Sequence, residues 1–396
     1  MLRSLYSGIS GLRAHQTMLD VTANNIANVN TTAFKSSSTQ FQDTLSQLTQ
    51  GAGSPQATVG GTNPAQVGLG VQVAGISTNF AQGSSQATGR ATDVMISGDG
   101  FFVTKQGGET LFTRAGNFDF DAQGRLVSPS GAIVQGWNAV DGVINQGGAT
   151  GNITLPLQAV IGAKASATAS VTGNLPSDAA KDTVLSREFT SYDASGTASQ
   201  VSLTFTNNAA LGSPAAWTVA SVPASTTTPA PVLTFTDGVL SSTGNSLTVG
   251  GVAVDLSKLE GFSGLTTVTA TSTDGNAAGS LTSFTLGKDG TLVGLFSNGK
   301  QESIGRIALA TFTNPGGLEK AGGSEYRSTF NSGAAALGAP GSAGMGTLTS
   351  GSLEMSNVDL SQEFTNLIVA QRGFQANARI ITTSDEVLTE LTNLKR

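Results

Sequence analysis

Three motifs in this chain have residue types and spacing that could do chemistry. Residues Gly294 to Lys300 have the GxxxxGK spacing of a phosphate-binding loop, but Gln301 follows where Ser or Thr would hold magnesium. A loop of that kind also needs a helix N-terminus behind it, whereas the surrounding pattern is strand–turn–strand. The sequence therefore predicts a β-hairpin at this position.

The other two motifs fail on their own spacing. Residues Asp119 to Gly124 begin like a calcium-binding loop, but Ser130 stands at the twelfth position, where a bidentate Glu is needed. Gly68 and Gly70 could open a dinucleotide-binding GxGxxG fingerprint, but its last position is Val73. A β-turn is the better interpretation of the first motif, and the second indicates no site.

Side chains for catalysis or metal binding are scarce. The chain has no Cys and a single His, His15, so thiol nucleophiles, Cys-ligated zinc and multi-His metal sites are excluded. His15 lies between Leu12 and Leu19 on a predicted helix, where we expect it to be partly exposed. No spacing brings two carboxylates into one cleft. We therefore expect no enzyme activity, no cofactor and no metal site.

The composition favours a protein that associates with copies of itself. Only 12% of the 396 residues are charged, about half the usual share, and 51 are Gly. Small neutral side chains pack on other subunits with little desolvation cost. The net charge is −6 and no Lys/Arg cluster occurs, so nucleic-acid binding is not expected. Nor do we expect membrane insertion or a cleavable secretory signal, because no apolar run reaches ~18 residues and residues 1–20 lack an apolar core.

Two predicted helices at the chain ends hold many of the large apolar residues. Residues 3–29 and 357–394 repeat apolar positions at 4-3 spacing, which is typical of a heptad seam, and Asp359 can cap the second helix. Either helix alone could simply pack on its own domain. Matching seams at both ends instead predict that the helices pair with each other and with copies of themselves. The seam positions are Leu5, Ile9, Leu12, Gln16, Leu19, Ala23 and Ile26, then Leu360, Phe364, Leu367, Gln371, Phe374, Ala378, Ile381, Asp385 and Leu388.

Between the helices the pattern is β, with short alternating runs such as Val201, Leu203 and Phe205 separated by turn residues. We expect a mainly β, multidomain fold in which long N- and C-terminal helical segments pair as a coiled-coil-like inner domain, with outer β-sandwich or barrel domains. The predicted division is 1–30 plus 357–396 for the inner helical assembly domain, 31–70 for a connector, 71–150 plus 281–356 for β domain 1, and 151–280 for an inserted outer β domain 2.

Both chain ends resemble one protein family. Residues Ser4–Leu12 and Thr22–Thr31 resemble the N-terminal signature of bacterial flagellar rod and hook proteins. Residues Ser356–Leu360 and Leu367–Ala378 resemble their C-terminal signature. The family pattern has Gly where this chain has Ala33.

Interior motifs narrow the resemblance to hook subunits. It covers roughly 1–145 and 280–396, and the middle, 151–280, contains no motif that we can match. Ile96–Phe102 and Thr113–Phe118 resemble motifs found across the rod and hook family. The features that resemble hook subunits are the long Thr/Ser-rich insert together with Gly287–Gly290, Phe296–Gly299, Ile307–Phe312 and Asn314–Leu318.

The resemblance implies a structural subunit of the flagellar hook, outside the cell, exported without a cleavable signal. Such subunits polymerise into a short curved tube that joins the motor rod to the filament and transmits torque as a universal joint. The terminal helices would line the channel, with the β domains stacked outward. The implied partners are other copies of the chain, the distal rod, the hook cap, the hook–filament junction proteins and the flagellar export apparatus.

The seam and the end signatures together predict an assembly interface. Alternatives are a distal rod subunit, which would usually be shorter, and a secreted β-rich adhesin, which would need a signal. A wall-degrading enzyme on a rod-like scaffold would need a catalytic acid in an extra domain. The predicted interface residues are Leu5, Ile9, Leu12, Leu19, Asn24, Asn25, Ile26, Asn28, Leu360, Phe364, Leu367, Gln371, Phe374, Ile381 and Leu388.

Overall fold

The computed structural model describes residues 2–56, 60–140, 142–155, 160–209, 216–242, 245–272, 274–342 and 344–393. The chain divides into two compact units. Unit 1 comprises Met1–Leu155, Thr285–Val293 and Ser303–Arg396, and unit 2 comprises Pro156–Phe284 and Gly294–Glu302. The four-part division expected from the sequence stays a prediction.

Two long helices belong to unit 1 and pack against each other, as the sequence predicts. Helix α1 is Leu2–Ala27 and helix α2 is Leu360–Asn393. Asp359 caps α2, because its Oδ1 accepts hydrogen bonds from the backbone N–H groups of Ser361 at 2.8 Å and Gln362 at 3.2 Å. This cap satisfies two of the donors that a helix start leaves unpaired.

Strands make up most of the remaining structure, which confirms the mainly β fold class. Those in the first part of unit 1 are β1 Ser37–Asp43, β2 Ser46–Gln50, β3 Ala65–Gly68, β4 Val71–Thr78, β5 Ser85–Ala87, β6 Val94–Ser97, β7 Phe101–Gln106, β8 Glu109–Thr113, β9 Asp119–Phe120, β10 Leu126–Val127, β11 Ile133–Val140, β12 Val143–Ile144 and β13 Gly151–Asn152. Those of unit 2 are β14 Val160–Ile161, β15 Thr168–Asn174, β16 Val184–Tyr192, β17 Ala198–Asn207, β18 Ala216–Val222, β19 Val232–Thr236, β20 Val239–Leu240, β21 Ser246–Val249, β22 Val252–Glu260 and β23 Thr269–Ser272. Strands with residues in both units are β24 Gly279–Leu286, β25 Thr291–Phe296 and β26 Gln301–Ile307. The last strands of unit 1 are β27 Leu309–Thr311, β28 Glu319–Gly322, β29 Glu325–Arg327, β30 Ala336–Gly338, β31 Thr347–Ser350 and β32 Ser352–Glu354.

Unit 1 contains an antiparallel sheet with an aromatic core. Strand β7 pairs with β8, β11 and β27, and β8 pairs with β29. Buried Phe101, Phe112, Phe312 and Tyr326 pack edge to face, with ring centroids 4.8–6.0 Å apart. Strands β31 and β32 pair with β6 and β5, so the segment just before α2 is held on the β structure.

Unit 2 has a separate core. Its sheet runs in the order β16-β17-β18-β19-β20-β22-β15-β23, and of these neighbours only the β15–β22 pair is parallel. The alternating residues Val201, Leu203 and Phe205 of β17 are buried together with Trp217, as a strand period of two requires. The described residues of unit 2 contain no helix.

The predicted connector contains strands. Strand β1 pairs with β4 in antiparallel register, with a bulge between Gln40 and Phe41, and β2 pairs with β3. Strands β1 and β4 both contact α1. The Phe41 ring lies 5.8 Å from the ring of His15, so the start of this segment packs on the N-terminal helix.

Candidate assembly surface

Where α1 and α2 meet, glycines of one helix face larger side chains of the other. Ala14 and Ala370 are fully buried. A Cβ added to Gly11 would lie 2.6 Å from the Asn377 side-chain oxygen, and one added to Gly373 would lie 2.5 Å from the His15 ring. Side chains of this size let two helix backbones approach closely. The helix pair therefore depends on its glycines and alanines.

The predicted seam residues are less buried than the small residues of the helix pair, although Ile381 lies 3.5 Å from the position of a Cβ on Gly8. On α1 the buried positions are Gly8, Gly11, Ala14, Thr22 and Asn25, whereas Leu5, Ile9, Leu12, Leu19 and Ile26 are only partly buried. On α2, Leu367 and Ile381 are partly buried, and Leu360, Phe364, Gln371, Phe374 and Leu388 are exposed. The small residues allow a closer approach than the large ones.

Large apolar side chains consequently remain exposed on the helices. We call the set defined below the helical apolar surface. Its members are from 37% exposed at Phe374 to 66% exposed at Tyr6. Nine of its ten members lie on α2, and exposed apolar residues concentrated in this way favour an interaction site. The set consists of Tyr6, Leu360, Phe364, Ile368, Val369, Phe374, Ile380, Val387, Leu388 and Leu391.

Buried Asn25 joins three elements. Its Nδ2 donates to the Ser37 carbonyl oxygen at 2.8 Å and to Glu363 Oε1 at 3.0 Å. Its Oδ1 accepts from the Ser37 backbone N–H at 3.0 Å. The side chain thereby fixes α1 against β1 and against the first turn of α2, and its polar atoms are satisfied inside the chain.

Asn24 and Asn28 lie at the end of α1. Asn28 Nδ2 donates to the Asn24 carbonyl oxygen at 2.9 Å, and Asn28 Oδ1 accepts from the Thr31 hydroxyl at 3.0 Å. These bonds satisfy carbonyl and side-chain groups where the helix stops. Both residues line an open cleft of about 700 Å³ in unit 1.

Asn357, which lies outside the predicted interface residues, is a second junction. Its Oδ1 accepts from the Ser36 backbone N–H at 2.8 Å, and its Nδ2 donates to the carbonyl oxygens of Asn79 and Ala81 at 2.8 and 3.0 Å. The residue sits just before α2, so it holds the base of that helix to the chain that follows β4. Its only sequence signal was its place in the C-terminal signature.

A buried ionic cluster lies beside this junction. Lys35 Nζ is 2.5 Å from Glu354 Oε1, Arg114 Nη1 is 3.6 Å from Glu354 Oε2, and all three side chains are inaccessible to water. Lys35 Nζ also donates to the Ala81 carbonyl oxygen at 2.8 Å. Desolvation lowers the pKa of the Lys35 ammonium, and the hydrogen bond and charge of Glu354 oppose that shift. The cluster ties the chain entering from α1 to the chain leading into α2.

The chemical motifs fold as the sequence predicts. The Phe296 backbone N–H donates to the Lys300 carbonyl oxygen at 2.9 Å, which closes the turn of a hairpin. The Asp121 carboxylate accepts from the backbone of Gln123 and Arg125 in a turn between β9 and β10. Among the described residues no cluster of His, Asp or Glu could hold a metal ion. None of the helices described is long and apolar enough to cross a membrane.

Three flagellar family profiles match the chain. "Flagella basal body rod protein" matches residues 5–35, "Flagellar hook protein FlgE/F/G D1 domain" matches 95–174, and "Flagellar basal body rod FlgEFG protein C-terminal" matches 349–394. The matched segments contain most of α1, the β7–β8 hairpin and all of α2.

Full-length relatives agree with the profiles. Flagellar hook protein FlgE of Borreliella burgdorferi is 38% identical and that of Treponema pallidum 37%, each over 100% of both chains. Flagellar basal-body rod protein FlgG of Bacillus subtilis is 35% identical, also over 100% of both. The crystal structure of Helicobacter pylori flagellar hook protein FlgE2 covers 68% of this chain and 100% of its own, with a TM-score of 0.51 at 16% identity, which shows a shared fold.

Paired terminal helices on β units, together with these matches, define a structural protein of the bacterial flagellum. The chain belongs to the flagellar rod and hook protein family. Its relatives are structural components of the motility apparatus, of the hook and of the basal body.

Proposed function

We propose that this chain is the hook subunit, which polymerises into a curved, flexible tube between the motor rod and the filament. The tube transmits torque as a universal joint. The observation that carries this proposal is the helical apolar surface, since α1 and α2 leave it exposed after packing on each other. Burying such residues contributes about 1.5–3 kcal/mol each, so neighbouring helices gain by covering them.

The predicted interface residues then fall into two roles. Leu360, Phe364, Phe374 and Leu388 are exposed and would contact neighbouring copies directly. Asn25 is buried, so it would act by holding α1, β1 and α2 in the geometry that presents those residues. The paired helices form the inner assembly domain of the tube.

Partners and export follow from the same proposal. The subunit is exported through the flagellar export apparatus without a cleavable signal and adds to the growing tube beneath the hook cap. One end of the tube meets the distal rod, and the other meets the hook–filament junction proteins. Support for this part is the match of the rod profile to 5–35 together with the hook relatives.

A distal rod subunit is the second candidate function. The Bacillus subtilis rod protein FlgG, 35% identical over both full chains, favours it. Cells lacking the gene discriminate between the two, because loss of a rod subunit stops assembly before the hook and loss of a hook subunit leaves complete rods.

The assembly role is tested by one substitution on α2 and a matched control. Phe364→Asp places a charge in the helical apolar surface, whereas Gln375→Asp places the same charge at an exposed polar position of the same helix. A charge buried without a partner costs several kcal/mol. We expect Phe364→Asp to abolish sedimentable polymer with an unchanged monomer melting curve, and Gln375→Asp to polymerise. Equal polymer yields in the two variants would refute the assembly role.

A further inference from the structure

Phe330 projects into solvent from the β structure of unit 1. No large apolar side chain among the described residues is more exposed. It follows β29 by three residues and lies outside the helical apolar surface. A Phe held fully in water loses the stabilisation that burial would give it, so a stable monomer alone does not explain the position.

The turn that presents Phe330 is held by hydrogen bonds on both sides. The Thr329 hydroxyl donates to the Gly317 carbonyl oxygen at 2.6 Å, and the fully buried Ser332 hydroxyl donates to the Thr329 carbonyl oxygen at 2.8 Å. Asn314 Nδ2 donates to the Asn331 carbonyl oxygen at 3.0 Å. An aromatic side chain on a backbone already ordered binds a partner with little further loss of entropy.

The sequence that follows Arg327 is uncharged. From Ser328 to Leu353 the sequence has no Asp, Glu, Lys, Arg or His. Within that run Leu337 is 47% exposed on β30, which pairs with β27 and has no second strand neighbour among the described residues. Phe330 and Leu337 thus lie in a neutral, apolar segment of unit 1, which we call the Phe330 segment, residues 328–338.

We propose that the Phe330 segment is a docking surface for a second copy of this chain, in addition to the helical contacts. The chain has a net charge of −6, so two copies repel each other except where the meeting surfaces are neutral. A neutral surface with a preorganised aromatic anchor meets that condition. The absence of basic residues in the segment disfavours nucleic acid or an anionic membrane as its partner. This inference rests on the proposed self-assembly and adds a contact between β units to it.

The experiment measures the critical concentration for polymerisation of full-length Phe330→Ala beside Val143→Ala. Val143 is an equally apolar, exposed residue on another hairpin of unit 1. We expect Phe330→Ala to raise the critical concentration at least tenfold. The conservative variant Phe330→Tyr should have the critical concentration of the parent, and that of Val143→Ala should lie within about twofold of the parent value. Both truncations remove exposed groups, so the melting curves of the monomers should not change.

A thiol reporter tests the same surface without removing the anchor. The chain has no Cys, so Asn331→Cys carries a single thiol beside an intact Phe330. Its reaction with maleimide should slow at least tenfold on polymerisation. An unchanged critical concentration for Phe330→Ala and an unchanged labelling rate would overturn the docking surface while leaving tube formation intact. Failure of the parent chain to polymerise would overturn the proposed function and this surface together.

Discussion

Polar side chains connect separate parts of unit 1: Asn25 and the Lys35–Glu354 pair are buried, and Asn357 is partly buried. Asn25, Asn357 and the Lys35–Glu354 pair all connect the two chain ends to the β structure. Removing one partner of a buried ion pair costs about 3–5 kcal/mol, because it leaves a charge without water or counter-charge. These residues stiffen the base of the helix pair, where a tube subunit would pass load between its helices and its β structure.

Tyr326 allows a pH-dependent prediction for the core of unit 1. Burial raises the pKa of its phenol to about 12, above the usual value of about 10. The raised pKa means that its contribution to stability is complete below pH 10 and is lost as the pH rises from 10 towards 12. A pKa shift of this size contributes about 2–3 kcal/mol to the free energy of unfolding.

The measurement is the melting temperature of the parent chain and of Tyr326→Phe between pH 8 and 12. Phe keeps the ring that packs on Phe80 and Phe101 and removes the ionisable group. The parent should lose stability relative to the variant above pH 10. Parallel pH profiles for the two proteins would show that the phenol is not responsible.

Single residues were the hardest part to predict from sequence. Lys35 and Glu354 are 319 positions apart, and no local pattern links them. Ala33 has a positive φ of 55°. The family pattern has Gly at this position, which is the usual residue for a left-handed backbone, but nothing in the sequence showed what the position does in the fold. Asn25 was selected from the signature, but its internal hydrogen bonds could not be inferred from it.

Elements were predicted better than contacts. The helices, the Asp359 cap and the hairpin at Gly294 to Lys300 follow from periodicity and turn residues, which are local signals. Heptad counting weighs large residues, so it did not single out the small buried residues of α1. Their signal in the sequence was the line Gly8, Gly11 and Ala14 at three-residue spacing.

Two glycine-to-alanine substitutions test the helix contact. A Cβ at Gly373 would lie 2.5 Å from the His15 ring, whereas one at Gly8 would meet its neighbours at 3.5 Å, an ordinary contact distance. Both changes raise helix propensity by about 1 kcal/mol, but overpacking costs about 1–3 kcal/mol. We expect Gly373→Ala to lower the denaturation midpoint of the helical circular dichroism signal and Gly8→Ala to keep or raise it. A lower midpoint for Gly8→Ala than for Gly373→Ala would show that the closest approach of the two helices is not at Gly373.

At the scale of the whole molecule, each unit carries its own core. Trp217, Phe205 and Leu203 belong to unit 2, whereas Phe101, Phe112 and Trp137 belong to unit 1. Separate cores are the property of regions that can fold independently. The sequence indicated an insert near 151–280 from the loss of family motifs, although its boundaries could not be set by motifs alone.

Removing residues 156–284 and joining Leu155 to Thr285 by a short Gly/Ser linker deletes all of unit 2 except Gly294–Glu302, and it should leave unit 1 folded. The shortened chain retains Trp137 and loses Trp217, so tryptophan fluorescence reports unit 1 alone. We expect one cooperative thermal transition and continued polymerisation. Loss of the cooperative transition would mean that unit 1 needs unit 2 to fold.

We predict that the purified chain polymerises into tubes. Electron microscopy of the purified protein after polymerisation in concentrated salt tests this prediction, because salt screens the repulsion between subunits of net charge −6. The parent sample should contain hollow tubes of uniform diameter, and the Phe364→Asp sample should contain unassembled subunits. A parent sample that contains only monomers, or a Phe364→Asp sample that forms the same tubes, would contradict the prediction.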